Sequence, residues 1–148
     1  MKKIDTVTHI GITVSDLDVS SRFYCEALGF EPLRRAHFPE AFFIKNKTLY
    51  NLGDEMICDT AVLVSPDGLQ LELFRFKDML PAQTTPWNRV GITHFAVTTD
   101  DVETIAQQLR DYDAQFMMEI GVRPDGGHWL FVRDPDGNLI EIMEPFRM

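Results

Sequence analysis

One ten-residue pattern is written twice in this chain, and it limits the possible folds more than any other feature. Ser65-Pro66-Asp67-Gly68-Leu69-Gln70-Leu71-Glu72-Leu73-Phe74 returns as Asp134-Pro135-Asp136-Gly137-Asn138-Leu139-Ile140-Glu141-Ile142-Met143. In both copies a Pro-Asp-Gly turn leads into an apolar strand: Pro presets φ, Asp bonds locally and Gly accepts positive φ. In both, a Glu stands six residues after the Pro. A carboxylate in an otherwise apolar strand is costly to bury unless a cation or donors meet it. Its occurrence twice in the same register is the anomaly to explain.

The segments before each copy also correspond. Thr6–Val14 alternates, with Ile10, Ile12 and Val14 on one face and His9, Gly11 and Thr13 on the other. Ser15 or Asp16 is placed to cap a helix from Leu17 to Leu28, with Val19, Phe23 and Ala27 at helical spacing and Gly29 as its stop. Strand-like pieces follow at Phe30–Arg34, Phe42–Ile44, Thr60–Val64 and Leu69–Phe74, for a β-α-β-β-β order. A stretch containing Pro81 and Pro86 then reads as a linker. Beyond it the plan restarts with Thr93–Thr98, a helix capped by Asp100 or Asp101 and ending near Arg110, and strands at Phe116–Met118, Trp129–Val132 and Leu139–Met143. Asp16 lies seven residues after His9, and Asp101 seven after His94. The expected organisation is α+β: a first module over 1–76, a linker over 77–90 and a second module over 91–148.

Strand parity separates two faces in each module. Leu69, Leu71 and Leu73 point opposite to Gln70, Glu72 and Phe74; Ile140 and Ile142 point opposite to Leu139, Glu141 and Met143. Each sheet thus has one apolar face for its helix and one face carrying a His, a Glu and small neighbours such as Gly11 and Ala96. Two such curved sheets facing one another would bring His9, Glu72, His94 and Glu141 together. Taken singly, a strand His or Glu is more often a satisfied or solvated residue than a ligand. The internal repeat is what raises the four above that reading.

Composition narrows the partners. A net charge of −9 opposes nucleic acid and anionic membrane surfaces. No run approaches the ~18 apolar residues of a membrane span. Cys25 and Cys58 are far apart in the sequence and read as reduced thiols, which fits a cytoplasmic protein.

The blocks His9–Leu17, Phe23–Phe30, Gly91–Val97 and Asp134–Glu141 resemble the vicinal oxygen chelate superfamily, which includes glyoxalase I, extradiol dioxygenases, fosfomycin-modifying enzymes and bleomycin-binding proteins. The resemblance covers nearly the whole chain. It implies paired βαβββ modules forming a curved, half-open barrel-like sheet with helices outside and a divalent metal in the cleft. Carried over position by position, the implied metal ligands are His9, Glu72, His94 and Glu141. Two imidazoles and two carboxylates suit Ni, Co, Mn, Fe or Zn. Four protein ligands in an octahedron leave two positions, enough for a substrate with adjacent oxygens. An extradiol dioxygenase needs three, so the set leans toward proton transfer on a chelated small molecule through an enediolate or enolate. Glu141 or Glu72 would be the base, and the resemblance to glyoxalase I favours Glu141.

Substrate contacts are expected at Thr13, Arg123 and His128. Bacterial glyoxalase I carries an Arg and an Asn, as grips on glutathione, at the positions of Thr13 and Phe76 here. The segment Arg123–Trp129 reads either as a loop over the cleft mouth or as a hairpin turn. Phe38, Phe42, Phe43 and Tyr50 read as core filling rather than as a pocket wall. Rival functions on the same scaffold are an extradiol-type dioxygenase, a thiol transferase or a non-catalytic drug-binding protein of the bleomycin-resistance kind. A homodimer is expected, because an exposed sheet edge invites pairing.

Overall fold

The computed structural model describes residues 1–50, 56–112 and 114–147. It divides into two compact units, Met1–Leu80 and Pro81–Met148. Each is a small open sheet with its helix on one side, in keeping with the α+β expectation.

The first unit runs β1 (His9–Thr13), α1 (Leu17–Arg22) continued by a π-helical turn (Phe23–Ala27), β2 (Glu31–Phe38), short helices α2 (Glu40–Ile44) and α3 (Lys47–Tyr50), β3 (Cys58–Val64) and β4 (Gln70–Phe76). The sheet order is β1-β4-β3-β2, with β1 parallel to β4 and the other pairs antiparallel. Asp16 starts α1 by accepting the amide hydrogens of Asp18 and Val19 at 2.8 and 2.9 Å, and these bonds hold its carboxyl below the usual range. Gly29 ends the helical run at φ +75°. The π turn adds a residue to one turn, so Phe23 and Tyr24 both face the core with Leu17, Ser20 and Ala27. Val19, expected on that face, is 43% exposed.

Phe42–Ile44, expected as a strand, is the helix α2. Three consecutive apolar residues carry neither a strand nor a helix period. Phe43 alone of the three is buried, and it joins Met56 and Cys58 with Phe38, Tyr50, Phe74 and Phe76 packed around them. Phe38, Phe43 and Tyr50 thus fill a satellite core, as read from the sequence, whereas Phe42, read the same way, is 40% exposed. The main core lies on the helix side, where Leu71 and Leu73 of β4 and Ala61 and Leu63 of β3 are almost fully buried.

The second unit repeats the plan with β5 (Phe95–Thr98), α4 (Val102–Arg110), β6 (Gln115–Phe116), β7 (Gly121–Val122), β8 (His128–Arg133) and β9 (Leu139–Met143). Its order is β5-β9-β8-β6, with β7 also paired to β8, so β6 and β7 together stand where β2 stands in the first unit. Asp101 caps α4 through Thr104, and Val102, Ala106 and Leu109 form the buried stripe. The segment Arg123–Trp129 is the turn and return strand of the β7–β8 hairpin.

The duplicated turn is duplicated in detail. Gly68 and Gly137 adopt φ +93° and +89°. Each donates its amide to the residue three back, Ser65 at 2.9 Å and Asp134 at 3.0 Å. Among the described residues no helix is long and apolar enough to cross a membrane.

Candidate metal centre

In the first unit the parallel pairing of β1 with β4 sets His9 opposite Gln70 and Gly11 opposite Glu72. His9 and Glu72 therefore share a face, two positions apart along the strands. Their closest atoms, Nε2 and Oε2, are 3.6 Å apart, with the two side chains 52% and 20% exposed. Gly11 is what keeps this face low: a Cβ there would meet Phe74 Cε2 at 3.2 Å. Thr13 continues the same face, exposed and opposite Phe74.

The second unit has the same address. Phe95 pairs with Ile140 and Ala96 with Glu141, so His94 precedes the strand opposite Leu139, and Glu141 lies two positions on. His94 Nε2 is 3.3 Å from Glu141 Oε2, with side chains 22% and 18% exposed. Two donors at right angles, each ~2.1 Å from one ion, stand about 3 Å apart. Both pairs are close to that spacing, and each combines an imidazole nitrogen with a carboxylate oxygen, the donor types a borderline divalent ion takes. The chain's residues thus fit such an ion within each unit.

His94 is more closely held than His9. Thr93 Oγ1 lies 2.8 Å from its Nδ1. Trp87 lies over its ring at 5.0 Å and 32°, and Phe131 meets it edge-to-face at 5.1 Å. Sequence reasoning missed Thr93, Trp87 and Phe131 as neighbours of the site; a Trp inside a Pro-rich linker was the one available signal.

Arg123 and His128 are engaged elsewhere. The Arg123 guanidinium donates to both carboxylate oxygens of Asp125 at 3.1 and 3.0 Å and to the carbonyls of Glu144 and Pro145, and it lies over the Phe146 ring. That guanidinium, with the amides of Arg147 and Gly127, holds the Asp125 carboxyl far below the usual range. His128 Nδ1 is 3.0 Å from Glu144 Oε1 and 3.5 Å from Glu103 Oε1. Glu103, His128 and Glu144 have donor atoms within 4.8 Å of one another, a spacing that could hold a metal ion. Glu144 already accepts from the His128 amide at 3.1 Å and from Arg147 at 3.2 Å, and these contacts keep its carboxyl low.

A separate cavity of about 540 Å³ in the first unit is lined by Asp16, Asp18, Arg35, His37, Asp59 and Arg75 among others, and it includes neither His–Glu pair. Its polar groups answer one another, Arg35 to Asp18 at 2.6 Å and the His37 ring to Asp59 at 2.7 Å.

Residues 6–142 match the family described as Glyoxalase/Bleomycin resistance protein/Dioxygenase superfamily. A protein of Synechocystis sp. named a probable lactoylglutathione lyase is 28% identical over 92% of this chain and 92% of its own length. A lactoylglutathione lyase of Neisseria meningitidis is also 28% identical, over 92% of this chain and 88% of its own. The crystal structure of a glyoxalase family protein from Bacillus cereus superposes with a TM-score of 0.82 at 22% identity, covering 97% of this chain and 95% of that one.

Proposed function

The chain belongs to the Glyoxalase/Bleomycin resistance protein/Dioxygenase superfamily, and on that premise we propose that it is a metal-dependent lyase or isomerase of glyoxalase type, with His9, Glu72, His94 and Glu141 as the ligand set. The observation that carries this reading is the equivalence of the two pairs: same face, same offset along parallel strands, and 3.6 and 3.3 Å between donor atoms. Independent packing accidents have no reason to respect the repeat.

When bound, a divalent ion would supply Lewis-acid polarisation of a substrate carbonyl. The chain's residues do the rest. The imidazoles of His9 and His94 anchor the site, since a neutral ring nitrogen is a strong, fixed donor. Glu141 would take the proton from the hydroxyl-bearing carbon beside the substrate carbonyl and return it to the carbonyl carbon, while the hydroxyl proton passes to the former carbonyl oxygen, so that the product is an isomer of the substrate. Glu72 would complete the set as a fourth protein ligand. Substrates with two adjacent oxygens fit this scheme best. The faces around both pairs are walled by Phe74 in one unit and by Trp87 and Phe131 in the other, which favours a compact, weakly charged molecule.

We place the protein in the cytoplasm as a homodimer. The nearly full exposure of Leu80, Val90 and Ile92 supports a further covering surface.

The test is elemental analysis of protein purified without chelator, paired with turnover of a 2-oxoaldehyde hemithioacetal. Wild type is expected to carry near-stoichiometric divalent metal and His94→Ala to lose it. Glu141→Gln should keep the metal and lose about 10²–10⁴-fold in turnover. A metal-free wild type would return the chain to the drug-binding reading, and a fully active Glu141→Gln would remove Glu141 as base.

A further inference from the structure

We infer that Thr93 and Trp87 are positioning residues that hold the His94 ring with Nε2 toward Glu141, making the second unit's pair the preset half of the metal centre; this rests on the ligand set proposed above. An imidazole that ligates through Nε2 carries its proton on Nδ1, and the partner of that proton fixes both tautomer and ring orientation. Thr93 Oγ1 stands 2.8 Å from His94 Nδ1, where it can accept that proton's hydrogen bond. The two flanking rings fix the plane. Trp87 covers one face of the imidazole at 5.0 Å, and Phe131 meets it edge-to-face at 5.1 Å. Trp87 and Phe131 also touch each other, with centroids 5.5 Å apart and 79° between planes, so the three rings form one closed cluster.

The internal repeat supplies the comparison that isolates this effect. His9 is preceded by Thr8 as His94 is preceded by Thr93. Among the described residues Glu72 is the one polar partner of His9, and no ring stacks on it. Its side chain is 52% exposed, against 22% for His94. The dipeptide is the same and its surroundings are not. The difference comes from the Thr93 hydroxyl, from Phe131, whose place opposite Glu72 is taken by Val62 in the first unit, and from Trp87, which is itself 59% exposed. So exposed a residue contributes little to the core, and its packing on a ligand ring acts chiefly on the ligand.

Cobalt(II) is the probe. Full-length protein stripped by chelator is titrated with Co(II) and followed by visible absorption, with thermal melts showing that each variant is folded. Thr93→Val is expected to weaken Co(II) binding by about 10- to 100-fold, the usual cost of removing an outer partner of a ligating histidine. Thr93→Ser, which keeps the hydroxyl, should restore wild-type affinity. Trp87→Ala should weaken binding in the same direction, and Thr8→Val, the same change beside His9, should leave it unaltered. Wild-type affinity in Thr93→Val, or an equal loss in Thr8→Val, overturns the inference while leaving the ligand set intact. Wild type that takes up no Co(II) overturns the ligand set itself, and the inference with it.

Discussion

Glu72 stands directly across from Gly11 on adjacent parallel strands, and the missing side chain at Gly11 is what leaves its carboxylate open beside His9. The Phe74 ring already occupies the nearest space, 3.2 Å from where a Cβ on Gly11 would be. Two consequences compete when a larger residue is placed there: the ring can swing away, or the Glu72 carboxylate can be crowded off its line to His9.

Gly11→Val decides between them. The site is on an exposed face, so the fold is expected to survive with a modest fall in melting temperature. The metal content of the purified protein should fall, because a branched side chain beside Glu72 fills the room an ion would need. Unchanged metal content with a folded protein would show that the Phe74 ring absorbs the whole change.

Gly127 supports a different structure, the closure of the β7–β8 hairpin onto the C-terminal segment. A Cβ on Gly127 would collide with the Arg123 guanidinium. That guanidinium bonds the carbonyls of Glu144 at 2.9 Å and Pro145 at 3.2 Å, so displacing it breaks the tie between the hairpin and the segment after β9. Gly127→Ala is expected to destabilise the protein by about 1–3 kcal/mol, the usual cost of overpacking, read as a lower denaturant midpoint. A midpoint equal to wild type would show that Arg123 can re-seat without loss.

Asp125 gives the same region a pH dependence with a definite sign. Its carboxyl is held below the ordinary value of 3.8, first by Arg123 and then by the amides of Arg147 and Gly127. A group depressed in the folded state contributes stability that is present above its unfolded pKa and is lost as pH falls through its folded one. Melting temperature should therefore drop as pH is lowered from about 5 to about 2, and Asp125→Asn, with no carboxylate to protonate, should flatten that part of the curve. Parallel acid limbs in the two proteins would assign the loss to other carboxylates.

What could be read from the sequence divides along a physical line. Turn chemistry, strand parity and helix capping are local, so the repeated Pro-Asp-Gly strands, the helix starts at Ser15 or Asp16 and at Asp100 or Asp101, and the stop at Gly29 could all be placed from neighbouring residues. Phe42–Ile44 was misread because tertiary packing, with Phe43 inward against Met56 and Cys58, chose between two local options that sequence leaves equal. Val19 was misread because the buried stripe runs through Leu17, Ser20, Tyr24 and Ala27, and a small polar residue such as Ser20 does not announce a core face. At the candidate site the His and Glu residues were singled out by their duplication and by the family resemblance. The seat around His94 was not, because stacking by Trp87 joins a linker to a strand and has no periodic signature. The carbonyl partners of Arg123, Glu144 and Pro145, were hidden for the same reason, lying 21 and 22 residues away in the chain.

The reading of both cysteines as reduced thiols has a kinetic consequence. Cys58 is 1% exposed in the satellite core with Phe43 and Met56, and it donates weakly to the carbonyl of Asp59 at 3.4 Å. Burial pushes its thiol up from 9.0 to about 11, with the nearby carboxylates of Asp59 and Glu72 adding in the same direction. The thiolate is the reactive form, so at pH 8 about 0.1% of Cys58 is available, against about 10% for a thiol of ordinary pKa. Alkylation by iodoacetamide should thus be at least about 100-fold slower at Cys58 in the folded protein than after denaturation, with access lowering it further. Cys25 is raised as well, by burial first and then by Glu26 and Glu31, so it should also be slowed. Peptide mapping by mass spectrometry after timed labelling separates the two sites. Rapid modification of Cys58 without denaturant would mean that the cluster around Phe43 opens readily. The aromatic packing beside Phe74 and Phe76 would then be a poor wall for the face that carries Glu72.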